Sequence, residues 1–482
     1  MMSNLAKESA MNRINALLDE NSFVEIGGLV TARSTDFNMQ DKVAASDGVI
    51  TGYGVIDNSL VYVYSQDASI LGGTVGEMHA KKISRLYDMA VKMGAPVVAL
   101  VDCAGLRLEE AADALNAFGE VYAKQAAASG VVPQVTAVFG TCGGGMGVMA
   151  SLSDFTFMAE DGKLFVNAPN TLDGNRAEKC DTASAAYQAE VSGMADYTGT
   201  EEEVLAGIRQ LVSVLPMNND DFAEEQCADD LNRVCENLAD CVGDTEIALE
   251  NLADAGTFFE IKKAYAKNMV TGFMKLNGIT VGAVANRAVV YDEEGKTEEL
   301  GTALTAEGCE KAADFVNFCD AFNIPVLTLT NASGFAATVD NEKRIAKAAA
   351  KLTYAYAEAT VPKVNVVVGQ AMGNAYNVMN SKACNADIVY AWPDAKIGTM
   401  DSDAAVRIIY AEEIKKAEDS VAFINEKKAE YETLQVSAAS AAKRGYVDSI
   451  IAPEDTRKYV IGAFEMLYTK KEERPAKKHG TV

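Results

Sequence analysis

The chain repeats itself, and this restricts it to architectures that one half can build and the other can copy. Met93-Gly94-Ala95-Pro96-Val97-Val98-Ala99-Leu100 aligns with Phe322-Asn323-Ile324-Pro325-Val326-Leu327-Thr328-Leu329. At the same offset Asp102-Cys103-Ala104-Gly105-Leu106 falls on Asn331-Ala332-Ser333-Gly334-Phe335, and Val132-Pro133-Gln134-Val135 on Val361-Pro362-Lys363-Val364. Gly140 and Gly144 fall on Gly369 and Gly373; after a short insertion, Asp154-Phe155 and Lys163-Leu164 align with Asp387-Ile388 and Lys396-Ile397. Upstream, Ser22-Phe23-Val24-Glu25-Ile26 resembles Thr257-Phe258-Phe259-Glu260-Ile261, and Ile50-Thr51-Gly52-Tyr53 resembles Val270-Thr271-Gly272-Phe273. Any two α/β segments share branched residues, but coinciding prolines and glycines in a nearly gapless register are not a chance pattern. The copies run over 12–199 and 246–466 and set expected domains of 1–245 and 246–482.

Each copy reads in the same order. Two strands open it, Gly48–Val55 and Val61–Ser65 in the first and Met269–Lys275 and Thr280–Ala285 in the second. A helix with one apolar face follows, marked by Ile83, Leu86, Tyr87 and Ala90, or by Ala312, Phe315, Val316 and Cys319. Next come a buried strand (Pro96–Val101 or Pro325–Leu329), a helix, and a second buried strand (Gln134–Phe139 or Lys363–Val368). This alternation predicts an α/β fold with parallel pairing and right-handed crossovers. Ligands in such sheets sit beyond the carboxyl ends of the strands, where the glycines cluster here. Between the copies, Thr200-Glu201-Glu202-Glu203 reads as a capping box. Val204, Ile208, Leu211 and Leu215 continue it as a helix that Pro216 stops. The acidic stretch 218–244 reads as a solvated connector.

Composition removes several chemistries. Only two histidines occur, His79 and His479, so a Ser–His or Cys–His mechanism has one candidate base and a multi-histidine metal site has none. His79, close to an amphipathic helix, reads as a capping or packing residue before a base. Nine cysteines, odd in number and without a C-x-x-C pair, predict reduced thiols in a cytoplasmic protein. A formal net charge of −26 argues against nucleic acid or an anionic membrane as partner. No apolar run reaches the length of a membrane span, and the first residues lack a signal-peptide core.

The sharpest motif is Gly140-Thr141-Cys142-Gly143-Gly144-Gly145-Met146-Gly147, directly after a strand and before a helix. Glycine admits positive φ and close approach of a ligand, and amides at a helix start attract negative charge. The turn can serve as a phosphate cradle, as an oxyanion hole, or simply as tight strand–helix packing. It matches neither the P-loop nor G-x-G-x-x-G. Gly369-Gln370-Ala371-Met372-Gly373-Asn374-Ala375-Tyr376-Asn377 holds the same place in the second copy. Two such turns suit a reaction with two carbonyl substrates, each passing through an oxyanion. The strand ends Asp102-Cys103-Ala104-Gly105-Leu106-Arg107 and Asn331-Ala332-Ser333-Gly334-Phe335 are either further ligand contacts or ordinary turns whose Asp or Asn caps the next helix. Arg107 and Glu109 are placed for a local ion pair, and Cys142 has no evident partner base.

At these residues the sequence resembles the carboxyltransferase subunits of biotin-dependent acyl-CoA carboxylases and decarboxylases, over nearly its whole length. The family is that of propionyl-CoA carboxylase β subunits and methylmalonyl-CoA decarboxylase α subunits. Matching stretches include Gly72-Gly73-Thr74-Val75-Gly76-Glu77-Met78-His79-Ala80, Ala128-Ser129-Gly130-Val131-Val132-Pro133-Gln134 and Ala357-Glu358-Ala359-Thr360-Val361-Pro362-Lys363. The resemblance implies two tandem crotonase-like domains, spiral ββα units of the ClpP/crotonase superfamily, in a hexamer. It implies an acyl-CoA side in the first domain and a biotin side in the second. The family's thioester-binding glycine pair falls on Gly144 and Gly145. The pair that stabilises the ureido oxygen of carboxybiotin falls on Asn374 and Ala375, where a Cβ on Asn374 crowds the amide unless the backbone is helical. Asn377 falls on a position that tunes acyl size. Ala104, Gly105, Gly143, Gly334, Phe335, Gly373 and Tyr376 are implied as further substrate contacts. No metal is implied. No A-M-K-M biotinylation motif and no ATP-binding motif occur, so biotin comes on a separate carrier protein. A biotin carboxylase or a membrane decarboxylase subunit is the further partner. The implied reaction moves a carboxyl group between a malonyl-, methylmalonyl- or glutaconyl-type CoA ester and carrier biotin. The alternatives are a biotin-independent decarboxylase or hydratase on the same fold, and a non-catalytic assembly subunit.

Overall fold

A computed structural model describes residues 2–33, 39, 44–223, 227, 229–291 and 296–482. The chain divides into two compact units, Met1–Ala223 and Glu224–Val482. The first contains β1 (Val24–Glu25), β2 (Val49–Ile56), β3 (Ser59–Gln66), β4 (Val97–Cys103), β5 (Gln134–Gly143), β6 (Phe155–Ala159), β7 (Lys163–Phe165) and β8 (Tyr197–Gly199). They form one sheet in the order β1-β2-β3-β4-β5-β6-β8. The short β7 extends it by pairing with the carboxyl end of β5. The β1–β2–β3 edge is antiparallel, and every pair from β3 onward is parallel. Asp57 and Asn58, at φ 48° and 68°, turn the β2–β3 hairpin in the doubly left-handed form that two-residue hairpins favour.

The second unit repeats the plan. Its strands are β9 (Phe259–Ile261), β10 (Met269–Leu276), β11 (Ile279–Asn286), β12 (Val289–Tyr291), β13 (Thr297–Glu299), β14 (Ala303–Leu304), β15 (Val326–Ala332), β16 (Gly334–Phe335), β17 (Lys363–Met372), β18 (Ile388–Ala391), β19 (Lys396–Gly398) and β20 (Ser449–Ile450). The sheet order is β20-β18-β17-β15-β11-β10-β9, with β19 added to the end of β17 as β7 is to β5. Two two-stranded ribbons, β12–β13 and β14–β16, complete it. Asn277 and Gly278 turn the β10–β11 hairpin at φ 52° and 79°.

The repeat extends to single side chains. Asp154 Oδ2 accepts the N–H of Gln134, and Asp387 Oδ2 accepts that of Lys363, both at 2.8 Å. Gly94 and Asn323 are left-handed at φ 61° and 55°. Lys82 and Lys311 stand at matching positions of their helices, each burying its ammonium against carbonyl oxygens: those of Ser46 and Val49, and those of Lys262 and Tyr265. Thr51 and Thr271 donate their hydroxyls to Ile26 O and Ile261 O. Each of these devices satisfies a buried polar group that a sheet edge or helix end would otherwise leave unpaired.

The connector expectation needs correction. The capping box at Thr200 is present and the helix runs Glu201–Val214. The unit boundary falls after Ala223, earlier than the expected 245. Of the stretch read as solvated, Cys235 and Leu238 are buried in a core with Leu249, Leu252, Val270 and Val281. Asp244 caps the Thr245–Leu252 helix and pairs with Arg287. Cys235 and Leu238 therefore belong to the second unit's packing, whereas Phe222, Leu231 and Val234 stay exposed as a solvated connector requires.

Burial pushes Asp154 up to about 7, against 3.8 for an ordinary aspartate. An acid whose folded pKa is raised keeps a proton that the unfolded chain has already lost, so stability falls as pH rises from about 4 to about 7. Asp154→Asn keeps an oxygen for the Gln134 N–H and removes this dependence. Its unfolding free energy from urea melts at pH 8 is expected above that of the parent, by up to about 4 kcal/mol at ~1.4 kcal/mol per pKa unit, with a correspondingly higher midpoint. Equal midpoints at pH 8 would contradict the assignment.

Candidate active site

The carboxyl ends of β4 and β5 meet at the first glycine turn. Asp102 does not cap the following helix. Its Oδ1 crosses to accept the N–H of Thr141, where the β4–β5 register shifts between Val101 and Cys103. A Cβ on Gly140 would lie 2.2 Å from that oxygen, so the position requires glycine. Asn331 does the same for Gln370 and Gly369 in the second unit. The strand-end residues Ala104 and Gly105 follow Asp102, Ala104 exposed and Gly105 buried. Gly105 has φ 117°, and a Cβ there would reach 3.1 Å from Gly143 O, so strand end and turn lie in contact. The Ala104 N–H donates to Gly72 O, whereas the Gly105 N–H meets only the weak acceptor Cys103 Sγ at 3.3 Å.

Gly144 turns the chain at φ 60° and caps the Gly145–Ser151 helix. Its N–H donates to Phe165 O at 2.9 Å, continuing the β5–β7 ladder. Of the expected Gly144–Gly145 pair, Gly144 supplies the bend and its amide is taken by the sheet, while Gly145 opens the helix. Gly147 N–H donates back to Gly144 O. Gly145 and Met146, the first two helical residues, have no acceptor for their N–H groups within the helix. No local pattern marks Met146, because only the β7 pairing shows which amide the sheet takes. Tyr122 was missed likewise: from the Ala111–Ala128 helix it donates its hydroxyl to Gly145 O at 2.9 Å.

In the second unit Gly373, at φ 58°, occupies the place of Gly144, and Asn374 and Ala375 fall in the first turn of the Gly373–Val378 helix. The backbone at Asn374 is helical, the condition under which its Cβ leaves the amide clear. Asn377 Nδ2 donates to Asn374 Oδ1 at 3.2 Å, which draws the Asn374 side chain along the helix. This turn borders a cavity of about 610 Å³ that Tyr376, Asn377, Tyr431, Gln435 and Arg444 also line. Tyr376 Oη is buried without a hydrogen-bond partner, and burial pushes the phenol up to about 12, so it is a neutral donor. The Arg444 guanidinium donates to Leu434 O, Gln435 Oε1 and Ser440, clamping the turn that carries Tyr431 and Gln435. Gly334 and Phe335 form β16 against β14, matching the Val75–Leu106 bridge of the first unit.

The other candidates are structural. His79 is fully buried, with its Nδ1 on Asp47 O and its Nε2 toward Gln66. Burial, with Arg107 nearby, lowers it to about 3, so it stays neutral and is not a general base. Arg107 pairs with Asp47 and Glu110, one residue beyond the expected Glu109. Burial pushes Cys103 up to about 12 and Cys142 higher still, which makes both thiols inert. Among the described residues, no group of three or more His, Cys, Asp or Glu is placed to hold a metal, and no helix is long and apolar enough to cross a membrane.

Known proteins place this architecture. The carboxyl transferase domain family matches residues 4–482. A putative propionyl-CoA carboxylase beta chain of Bacillus subtilis (strain 168) is 40% identical over 486 residues, covering 99% of this chain and 94% of the relative. The methylmalonyl-CoA decarboxylase subunit alpha of Propionigenium modestum is 39% identical over 490 residues, covering 99% and 93%. Among solved structures, transcarboxylase 12S with methylmalonyl-coenzyme A and methylmalonic acid bound superposes with a TM-score of 0.93 at 35% identity, covering 100% of this chain and 94% of that one. That protein is described as a hexamer that binds substrate in a multienzyme core. The expected α/β architecture of two tandem crotonase-like domains is thus the observed one. With its repeated turns and whole-length match, the chain belongs to the carboxyl transferase domain family and is a carboxyltransferase of the acyl-CoA carboxylase and transcarboxylase type.

Proposed function

We propose that the protein moves a carboxyl group between the α carbon of a short acyl-CoA, of malonyl, methylmalonyl or glutaconyl type, and biotin on a separate carrier protein. The observation that carries this reading is the paired left-handed glycine, Gly144 and Gly373, opening a helix at the same place in each unit. The first unit takes the acyl thioester. When the bond from the α carbon to the carboxyl carbon breaks, its electron pair moves onto the thioester oxygen as an enolate. The Gly145 and Met146 N–H groups, with Gly105 beside them, supply donors for that charge without a side-chain base. The second unit takes the ureido ring. Its cavity offers aromatic walls at Tyr376 and Tyr431 and the start of the Gly373–Val378 helix, with Asn374, at one end, which suits a planar polar ring. When bound, biotin supplies a ring nitrogen that carries the carboxyl group. The working form is a homo-oligomer, a hexamer by analogy with transcarboxylase 12S, joined by the carrier and by a biotin carboxylase or a membrane decarboxylase subunit.

The test is turnover of malonyl-, methylmalonyl- and glutaconyl-CoA by the full-length protein, with and without biotin or a biotinylated carrier. Biotin-dependent decarboxylation of at least one ester is the expected result. Turnover indifferent to biotin would assign a biotin-independent enzyme instead. No turnover and no acyl-CoA binding by calorimetry would leave an assembly subunit.

A further inference from the structure

We infer that Tyr122 is a positioning residue of the first turn, tuning one of its amides through a shared peptide; this rests on the reading of that turn as the thioester site. Tyr122 and Phe118 lie one turn apart on the Ala111–Ala128 helix, and both meet Gly145. The Tyr122 hydroxyl donates to Gly145 O at 2.9 Å. That carbonyl belongs to the same peptide as the Met146 N–H, and in a trans peptide the two point in opposite directions. A hydrogen bond accepted at the carbonyl polarises the peptide and strengthens its N–H as a donor. It also fixes the plane in which the N–H points. Tyr122 thus acts on the amide from behind, without touching substrate.

Two further observations make the contact specific. A Cβ on Gly145 would lie 2.8 Å from Tyr122 Oη and 3.0 Å from the Phe118 ring, so the glycine at this position lets the hydroxyl reach the main chain. The second unit lacks the device. In the repeat register Lys347 and Lys351 stand where Phe118 and Tyr122 stand in the first unit, and Asn374 replaces Gly145. The two turns share a bend but differ in what supports it, as expected if one faces a thioester that becomes an enolate and the other faces a different carbonyl.

The experiment is isotope-edited infrared difference spectroscopy of carbonyl-labelled propionyl-CoA bound to the full-length protein without biotin, with steady-state kinetics alongside. In the parent the thioester carbonyl stretch is expected to move to lower frequency on binding. In Tyr122→Phe, which keeps the ring on Gly145, the downshift shrinks, and kcat falls ~5-fold with KM little changed, the size expected for loss of one neutral hydrogen bond. Replacing Tyr122 by 3-fluorotyrosine, a stronger donor of the same shape, enlarges the downshift. A purely structural role would leave the frequency unmoved in both variants. A normal downshift in the parent that neither variant alters overturns the role of Tyr122 alone. No downshift in the parent overturns the thioester site itself.

Discussion

Gly145→Ala is expected to lower kcat for carboxyl transfer by about 10²-fold, the loss that follows when an oxyanion donor is misplaced. The added methyl would lie 2.8 Å from Tyr122 Oη and 3.0 Å from the Phe118 ring. Phe118 is only 3% exposed, so its ring cannot swing aside, and the Tyr122 hydroxyl clears the methyl only by giving up its bond to Gly145 O. The first helical turn must move instead, and the Gly145 and Met146 amides move with it. Gly144→Ala separates geometry from strain. A methyl there meets nothing within 4 Å, but the backbone stays at φ 60°. Its cost is conformational, since φ 60° with ψ −121° lies outside even the left-handed helical region, and reaches ~1–3 kcal/mol of stability, while the amides beyond it stay close to their places. Melting curves and kinetics of the two variants should therefore diverge: Gly144→Ala loses more stability than rate, and Gly145→Ala loses more rate than stability. Full activity in Gly145→Ala would remove the first turn from the chemistry.

That contrast also shows where the sequence stops being readable. The repeat was legible because its shared residues do the same physical work twice. Asp154 and Asp387 hold equivalent strand amides, and Gly140 and Gly369 make room for Asp102 and Asn331. The strand positions were legible because both central strands are apolar on both faces. The individual amides were not. Whether Gly144 or Met146 faces a ligand depends on β7, three residues whose pairing no local pattern announces. Nor could spacing bring Tyr431, Gln435 and Arg444 to the second turn, since they lie far along the chain from Gly373. The acidic connector misled because charge count hides a few buried anchors: Leu238 and Cys235 pack in a core, and Asp244 pairs with a buried arginine.

Arg107→Leu is expected to destabilise the protein by about 3–5 kcal/mol, the cost of stranding buried charge. Arg107 and Asp47 are wholly buried, and Glu110 nearly so. The guanidinium bonds Asp47 Oδ1 at 2.5 Å, Glu110 Oε1 at 2.8 Å and Thr74 O at 2.7 Å. The remaining carboxylate oxygens take the His79 and Glu77 amides, at 2.8 and 2.6 Å. Leucine satisfies none of these acceptors and leaves two carboxylates together out of water. Burial already holds Asp47 above the ordinary carboxylate range with Arg107 present. Without the cation the rise grows, and a raised acid is tolerated best when protonated. The deficit of Arg107→Leu should therefore be smaller at pH 5 than at pH 8, read as the difference in urea midpoint from the parent. Adding Asp47→Asn and Glu110→Gln removes the stranded charges and should restore much of the lost stability. A midpoint equal to the parent's in the single variant would mean that the cluster does not hold the unit together. The cluster also bears on the site. Arg107 N–H donates to Val75 O and Val75 N–H to Gly105 O, so the same residue that neutralises the buried acids fastens the strand end facing the first turn. Restoring stability by neutralising the acids need not restore rate, because the Thr74 carbonyl, one residue before Val75, would still lack its guanidinium donor even though the main-chain bonds at 107 remain.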